Sequence, residues 1–401
     1  MRAKVLLVNK FFYNRGGDCI YTINLMHLLQ AMGHEVAIFS MQYPDNIPSS
    51  YESFYPVNVD FKAPGIGNKL KAAARIFGGA GVAESFSRLL DAFQPDVVHL
   101  NNIHSYLSPV IARIAHERKI KVVWTLHDYK LICPSYSCLR HGKVCELCFH
   151  DKSHVLREKC MKESLAASLL AYLEALRWNR AELTKCVDAF ICPSRFMLQK
   201  MTEGGFPPEK LVHLCNFIPE EASKEVTVRD DREHSYCYVG RLAVEKGVET
   251  FLAAAAQLPQ TLYVAGDGPL AECLMKKYND RPQLHFLGRL PHEEVLRLLG
   301  KVAFSVIPSE CYENNPLGVI ESLCCGTPVV GARIGGIPEL IEEGRNGLLF
   351  ESGNPQAAKD SIVRGFECFS DTTDHLNISV EAQNKFSAET FYHKLMQIYD
   401  K

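Results

Sequence analysis

Two glutamates, Glu313 and Glu321, stand with seven residues between them in the stretch Ser309 to Val330 of this 401-residue chain. A carboxylate pair can hold hydroxyl groups. The N–H groups left free at the start of a helix can hold an anion. The stretch reads as a loop, a helix from about Pro316 to Cys325, a turn at Gly326-Thr327-Pro328 and a strand opening with Val329-Val330. Pro316 suits a first helical position, because its missing N–H is lost there anyway. The N–H groups of Asn315, Leu317 and Gly318 would then face the anion, with Glu313 just outside the helix and Glu321 near its middle. A capped helix with two solvated glutamates fits the same residues, so the rest of the chain has to decide.

Cations stand at a second place. Arg241 and Lys246 lie five residues apart between Gly240 and Gly247, a spacing that suits a diphosphate or, equally, an ordinary charged surface. Gly266, Asp267 and Gly268 follow one apolar run and Arg289 follows another. In the first half, Gly16-Gly17 follows the opening apolar run, where a missing Cβ would let the backbone approach a phosphate or a sugar. A plain loop pair reads no worse. His127 ends a strand, where it could donate to a hydroxyl or be held by Asp128. Cys145-x-x-Cys148 is flanked at equal distances by Cys133 and Cys160, and four thiolates could close a structural zinc site. His141, His150 and His154 are spare ligands, and free thiols or disulfides are the other options.

These residues must be positioned by an α/β chain. Residues 4–8 read as a strand buried on both faces, 19–32 as a helix stopped by Gly33, and 35–40 as a second strand. That βαβ unit implies a parallel sheet, with ligands beyond its C-terminal strand ends. Further strands are expected near 96–100, 122–126, 187–192 and 211–215, and helices over 72–93, 107–118 and 165–181. The apolar face of the last helix could pack on its domain or touch a membrane surface. After a charged, weakly patterned linker, Glu220 to His234, the pattern repeats with strands near 236–239, 262–265, 284–287, 303–308, 329–330 and 347–350. A helix from Phe386 to Tyr399 closes the chain. The fold expected is two doubly wound Rossmann-like domains with parallel sheets facing an inter-domain cleft. The domains run over 1–218, with a Cys-rich insert at 133–160, and 219–385, with helix 386–401 packing back towards the first.

Composition sets the class. Hydrophobic residues at 47% and charged residues at 22% describe a globular protein, and a net charge of -2 gives no reason to expect nucleic acid. No apolar run approaches the ~18 residues of a membrane span. Fifteen cysteines and no leader pattern point to the reducing cytoplasm.

With these motifs in place, the sequence resembles the retaining glycosyltransferases of family 4, which have the two-domain GT-B fold. The resemblance rests on Val239-Gly240-Arg241-Leu242 through Glu245-Lys246-Gly247, on Ala265-Gly266-Asp267-Gly268-Pro269, and on Pro308-Ser309-x-x-Tyr312-Glu313 through Glu321 to Cys325-Gly326-Thr327-Pro328-Val329. Gly335-Gly336-Ile337-Pro338-Glu339 and Asn346-Gly347-Leu348-Leu349 add to it. It implies that Arg241 and Lys246 hold the diphosphate of a UDP- or GDP-sugar and that Glu321 accepts from the ribose. Glu313 and His127 would contact the sugar, and Gly16-Gly17 the donor or acceptor. Gly266 to Gly268 and Arg289 would border the nucleoside. Many members carry Glu-Gly-Phe-Gly where this chain has Glu313-Asn314-Asn315-Pro316-Leu317, which leaves the donor sugar open. Similar variants, and the segment His127 to Pro134 with its downstream cysteines, resemble polysaccharide and lipopolysaccharide enzymes.

The chemistry so implied is transfer of a sugar to a glycan or lipid-linked acceptor with retention, the leaving phosphate assisting deprotonation. No Asp-x-Asp motif occurs, so no catalytic metal is expected. The site would be cytoplasmic, with peripheral contact to the inner membrane. The rival readings are a nucleotide-sugar epimerase of the same fold and a non-catalytic nucleotide-sugar-binding subunit.

Overall fold

The computed structural model describes residues 2–59, 66–219, 228, 231–369 and 373–401. Most of the expected linker, 220–227 and 229–230, lies outside the described residues. The chain forms two units, one of residues 1–138, 145–215 and 392–401, the other of 139–144 and 216–391.

The first unit is built on β1 (Lys4–Val8), β2 (Glu35–Phe39), β3 (Val97–Leu100), β4 (Lys121–Thr125), β7 (Ala189–Cys192) and β8 (Leu211–His213). They form one parallel sheet in the order β2-β1-β3-β4-β7-β8. The short strands β5 (Leu139–Arg140) and β6 (Lys143–Val144) make a separate antiparallel hairpin. The unbroken apolar runs explain the sheet: Val5 to Val8 are all fully buried, as strands covered on both faces must be.

The second unit repeats the plan with β9 (Glu233–Val239), β10 (Thr261–Ala265), β11 (Leu284–Gly288), β12 (Val302–Ile307), β13 (Val329–Ala332) and β14 (Gly347–Phe350). Their order is β11-β10-β9-β12-β13-β14, again all parallel. Tyr236 and Phe304 stack across the sheet at 5.5 Å between ring centres, at the heart of its core. In both sheets the strand order reverses direction once, between β1 and β3 and between β9 and β12. Such switch points leave a crevice beyond the C-terminal strand ends. The loops after β1, β3, β9 and β12 are therefore where ligand chemistry belongs.

Three differences from the sequence expectation have physical causes. The helix expected over 72–93 is two helices, Ile66–Ile76 and Val82–Phe93. Gly78, Gly79 and Gly81 lie between them, and a Cβ on Gly78 would press on the Val110 side chain. The helix expected over 165–181 ends at Arg177. Asn179 then caps a new helix, Arg180–Cys186, by accepting from the Glu182 N–H at 3.2 Å. Pro316 is the N-cap of the Leu317–Cys324 helix rather than its first helical residue. At the C-terminus, helix Ala388–Asp400 brings the Tyr392 hydroxyl to His34 at 2.8 Å and the Tyr399 hydroxyl to His99 at 2.6 Å.

Candidate functional site

In the second unit the loops that follow β9, β10 and β11 are knitted by their backbones. The Gly240 N–H donates to Ala265 at 3.0 Å, Leu242 to Asp267 at 2.9 Å and Gly266 to Gly288 at 2.7 Å. Gly266 has a φ of 139°, and a Cβ there would collide with the Gly240 carbonyl. Only glycine allows the two loops to lie this close. The Asp267 carboxylate turns back to accept from the Gly268 N–H at 2.7 Å. Arg289 follows β11 directly and is exposed.

Lys246 and Glu313 are brought into direct contact. The Lys246 ammonium donates to Glu313 Oε1 at 2.6 Å, and Ser309 Oγ donates to the same oxygen at 2.6 Å. Ser309 is held in turn, because its carbonyl accepts from the Ser352 hydroxyl at 2.8 Å. The Glu313 main chain is fixed from the other side by the Gly336 N–H, which donates to its carbonyl at 2.8 Å. Gly335, at a φ of 59°, packs so tightly on Glu313 that any Cβ would strike its backbone. Burial disfavours the charged Lys246, but the Glu313 charge, with Cys311 and Glu245 behind it, outweighs that and raises its pKa. Arg241 is the most exposed of them: its side chain is 62% exposed, and its guanidinium lies 3.5 Å from Glu245. Its own carbonyl accepts from the Tyr238 hydroxyl at 2.8 Å, which fixes the loop. Arg241, Glu245, Lys246 and Glu313 thus form a row of alternating charge, with Arg241 at the wet end.

Glu321 sits on the Leu317–Cys324 helix in an apolar setting, and burial pushes its carboxyl up to about 7. The half-exposed imidazole of His292 lies beside it, with Nδ1 at 3.9 Å. The side chain and carbonyl of Asn315 have partners within the chain. Its Oδ1 accepts from the Asn216 N–H at 2.9 Å, and its carbonyl accepts from Asn216 Nδ2 at 2.8 Å. Its side chain, in a residue only 4% exposed, ties the loop to the chain at Asn216.

The first unit carries a second polar set. Gly16 caps the helix Gly17–Ala31, and a Cβ on Gly17 would meet no atom within 4 Å, so space is open there. His127 follows β4, but its partner is not Asp128. Its Nε2 donates to Asn101 Oδ1 at 3.0 Å, and its ring packs edge-on against Tyr21. Burial pulls its pKa down to about 4, so the ring is neutral at pH 7. Asp128 instead accepts from the Lys130 N–H at 2.9 Å and faces His104 at 3.9 Å.

Three residues escaped sequence reasoning: Asp18, Asn101 and Asn102. Asp18 Oδ2, Asn101 Nδ2 and Asn102 Oδ1 are buried and have no hydrogen-bond partner within the protein. Leaving a buried polar atom unpaired costs about 1–3 kcal/mol, so such atoms mark places where ligand or water groups complete the network. The available signal was two asparagines directly after the fully buried strand Val97–Leu100.

The expected zinc set requires a correction. Among the described residues no three His, Cys, Asp or Glu side chains are gathered as metal ligands. Cys133, Cys145 and Cys160 all lie near enough to Cys148 for their charges to act on its thiol, yet the four are not drawn together as a ligand set. Cys133 pairs instead with Cys138, whose thiol donates to it, and with Ser135 Oγ at 3.2 Å. The Cys138 hydrogen bond pulls the Cys133 pKa down to about 6, burial opposing it and Ser135 assisting. Cys148 packs into a small apolar cluster with Val155 and Ala171, with Cys160 beside it.

Comparison with known proteins agrees with this geometry. The family described as Glycosyltransferase Family 4 matches residues 15–222, and Glycosyl transferases group 1 matches residues 219–368. Glycogen synthase of Mycobacterium tuberculosis is 37% identical over 359 residues, covering 83% of this chain and 78% of that one. A protein of the cps region of Klebsiella pneumoniae is 27% identical over 263 residues, covering 65% of this chain and 63% of that one. The chain spans about half the length of other curated relatives that it matches. Among solved structures, HepE of Anabaena in complex with UDP and glucose superposes with a TM-score of 0.69 at 17% identity, covering 99% of both chains. Two doubly wound parallel sheets, the glycine-clamped Lys246–Glu313 loop and these matches together place the chain in glycosyltransferase family 4, with the GT-B fold.

Proposed function

We propose that the protein moves a sugar, with retention, from a UDP- or GDP-sugar to a hydroxyl of a glycan or lipid-linked acceptor in cell-surface polysaccharide assembly, at the cytoplasmic face of the membrane. The observation that carries this reading is the Lys246–Glu313 contact, set by Ser309 on one side and Gly335-Gly336 on the other. A cation and a carboxylate held ready at a switch point suit a ligand with a diphosphate at one end and hydroxyls at the other. The donor diphosphate would take Lys246 from Glu313, with Arg241 swinging in from solvent. The freed carboxylate would then accept from the sugar hydroxyls. The UDP and glucose bound by the similarly folded Anabaena protein support a nucleotide-sugar donor. The cps-region relative supports a surface-glycan role.

In the transfer step the acceptor oxygen bonds to the anomeric carbon from the face that the phosphate leaves. The sugar–phosphate electron pair goes to the diphosphate, which also takes the acceptor proton. Negative charge grows on the leaving group, where Lys246, Arg241 and the N–H groups at the start of the Leu317–Cys324 helix stabilise it without rearranging. Neutral His127 and the unpaired atoms of Asp18, Asn101 and Asn102 offer hydrogen bonds to sugar hydroxyls in the first unit. Burial pushes Glu321 towards the neutral form, and ribose hydroxyls donating to it would favour its charge. The test is transfer from UDP- and GDP-sugars to lipid-linked glycans, with donor-only reactions as controls. Arg241→Ala and Lys246→Ala variants that keep wild-type turnover would sink the reading.

A further inference from the structure

The helix Leu165–Arg177 is turned inside out. Its inward face carries Ser168, Ala171 and Glu174, all buried. The Glu174 carboxylate pairs with Lys130 at 2.9 Å and accepts from the Ser105 N–H at 2.9 Å. Its outward face carries Leu165, Leu169, Leu173 and Leu176, exposed by 57%, 43%, 38% and 49%. Spacings of four, four and three residues keep these leucines on one stripe. The only charged residue from 165 to 176 is the buried Glu174. A helix that sends its polar residues inward and its leucines into water is built for an apolar environment outside the protein.

Its size and charge favour one such environment. Four partly exposed leucines offer a patch on the order of a few hundred Å². A stable contact between proteins needs about 800 Å² on each partner, so the stripe is too small to hold a second copy by itself. A bilayer has no minimum area, because it accepts each leucine separately. The exposed Lys159 and Lys162 precede the stripe and Arg177 closes it, with the carboxylate of Glu163 as the exposed counter-charge. Among the described residues no helix is long and apolar enough to cross a membrane. We propose that this helix lies flat in the interface of an anionic membrane, its leucines at the acyl boundary and its flanking cations on lipid phosphates. The inference deepens the reading of a lipid-linked acceptor and rests on it for its purpose. Its test uses neither donor nor acceptor, so its failure would leave sugar transfer untouched.

The full chain is sedimented with vesicles rich in phosphatidylglycerol and with vesicles of phosphatidylcholine. The wild type should bind the anionic vesicles more tightly, and added salt should weaken that preference. A Leu169→Ser/Leu173→Ser variant alters two exposed positions and should fold normally by circular dichroism. Its partitioning should fall on the order of tenfold or more. A Lys159→Glu/Lys162→Glu variant should lose the anionic preference alone. Wild-type protein that stays in the supernatant, or a serine variant that binds as well as wild type, would overturn the proposal. So would a concentration-dependent dimer, seen by light scattering, that the serine variant abolishes, since the stripe would then belong to a second copy.

Discussion

Replacing Glu321 by glutamine should stabilise the protein at high pH and weaken its hold on the donor. Burial pushes the Glu321 carboxyl from 4.5 up to about 7. Each pKa unit is about 1.36 kcal/mol, so the ionised carboxylate costs the folded state up to ~3 kcal/mol. About a quarter of the side chain, 24%, still meets solvent, which brings the expectation to roughly 2–3 kcal/mol. The sign follows from proton counts. Between pH 4.5 and about 7 the folded chain keeps a proton that the unfolded chain has shed, so this group lowers stability as pH rises. Glutamine has no such titration. The advantage of Glu321→Gln over wild type should be near zero at pH 4.5 and full above about pH 7.5, as read by urea unfolding across that range. The same variant loses a charged acceptor for ribose, so nucleoside diphosphate affinity should fall about 10–100-fold. A stability gap that does not change with pH would refute the argument that burial governs this carboxyl.

Three further outcomes follow from the same geometry. A double-mutant cycle of Lys246→Ala with Glu313→Gln should give a coupling of about 0.5–3 kcal/mol in unfolding experiments, because the two groups are in contact; additive effects would mean that the contact carries no energy. Gly335→Ala forces a left-handed backbone and a clash with Glu313, so it should cost about 1–3 kcal/mol of stability and depress turnover; an unchanged Tm would contradict the packing described. Burial lowers the pKa of His99 to about 3 and that of His127 to about 4, so both rings resist protonation in the folded state. Below about pH 6.5 the unfolded chain binds more protons, and stability should drain as pH falls towards 4. Measuring this in the Glu321→Gln variant removes the opposite slope. A His99 or His127 imidazole NMR signal that titrates above pH 6 would contradict it.

Both sheets were legible in the sequence because their strands are mostly apolar runs, such as Val5 to Val8 and Val329 to Ala332. The loops after β9 and β12 were legible for a related reason: Gly240-Arg241 stand directly after the first, and Pro308-Ser309-Glu310 after the second. What stayed hidden depends on partners distant along the chain. Nothing around Asn315 marks Asn216 as its partner 99 residues away. His127 reads as a neighbour of Asp128, yet its ring turns to Asn101, on the adjacent strand end. The break at Gly78 reflects the approach of Val110, which periodicity within one segment does not encode.

The central claim is that Lys246 and Glu313 form the diphosphate and sugar end of a donor site. The measurement that tests it most directly is calorimetric titration of UDP and GDP into the full chain and into its Lys246→Ala variant. One of the two nucleotides should bind the wild type, and the loss of Lys246 should weaken it by about 10–100-fold with the fold intact. Binding of neither nucleotide, or equal affinity in the variant, would contradict the account.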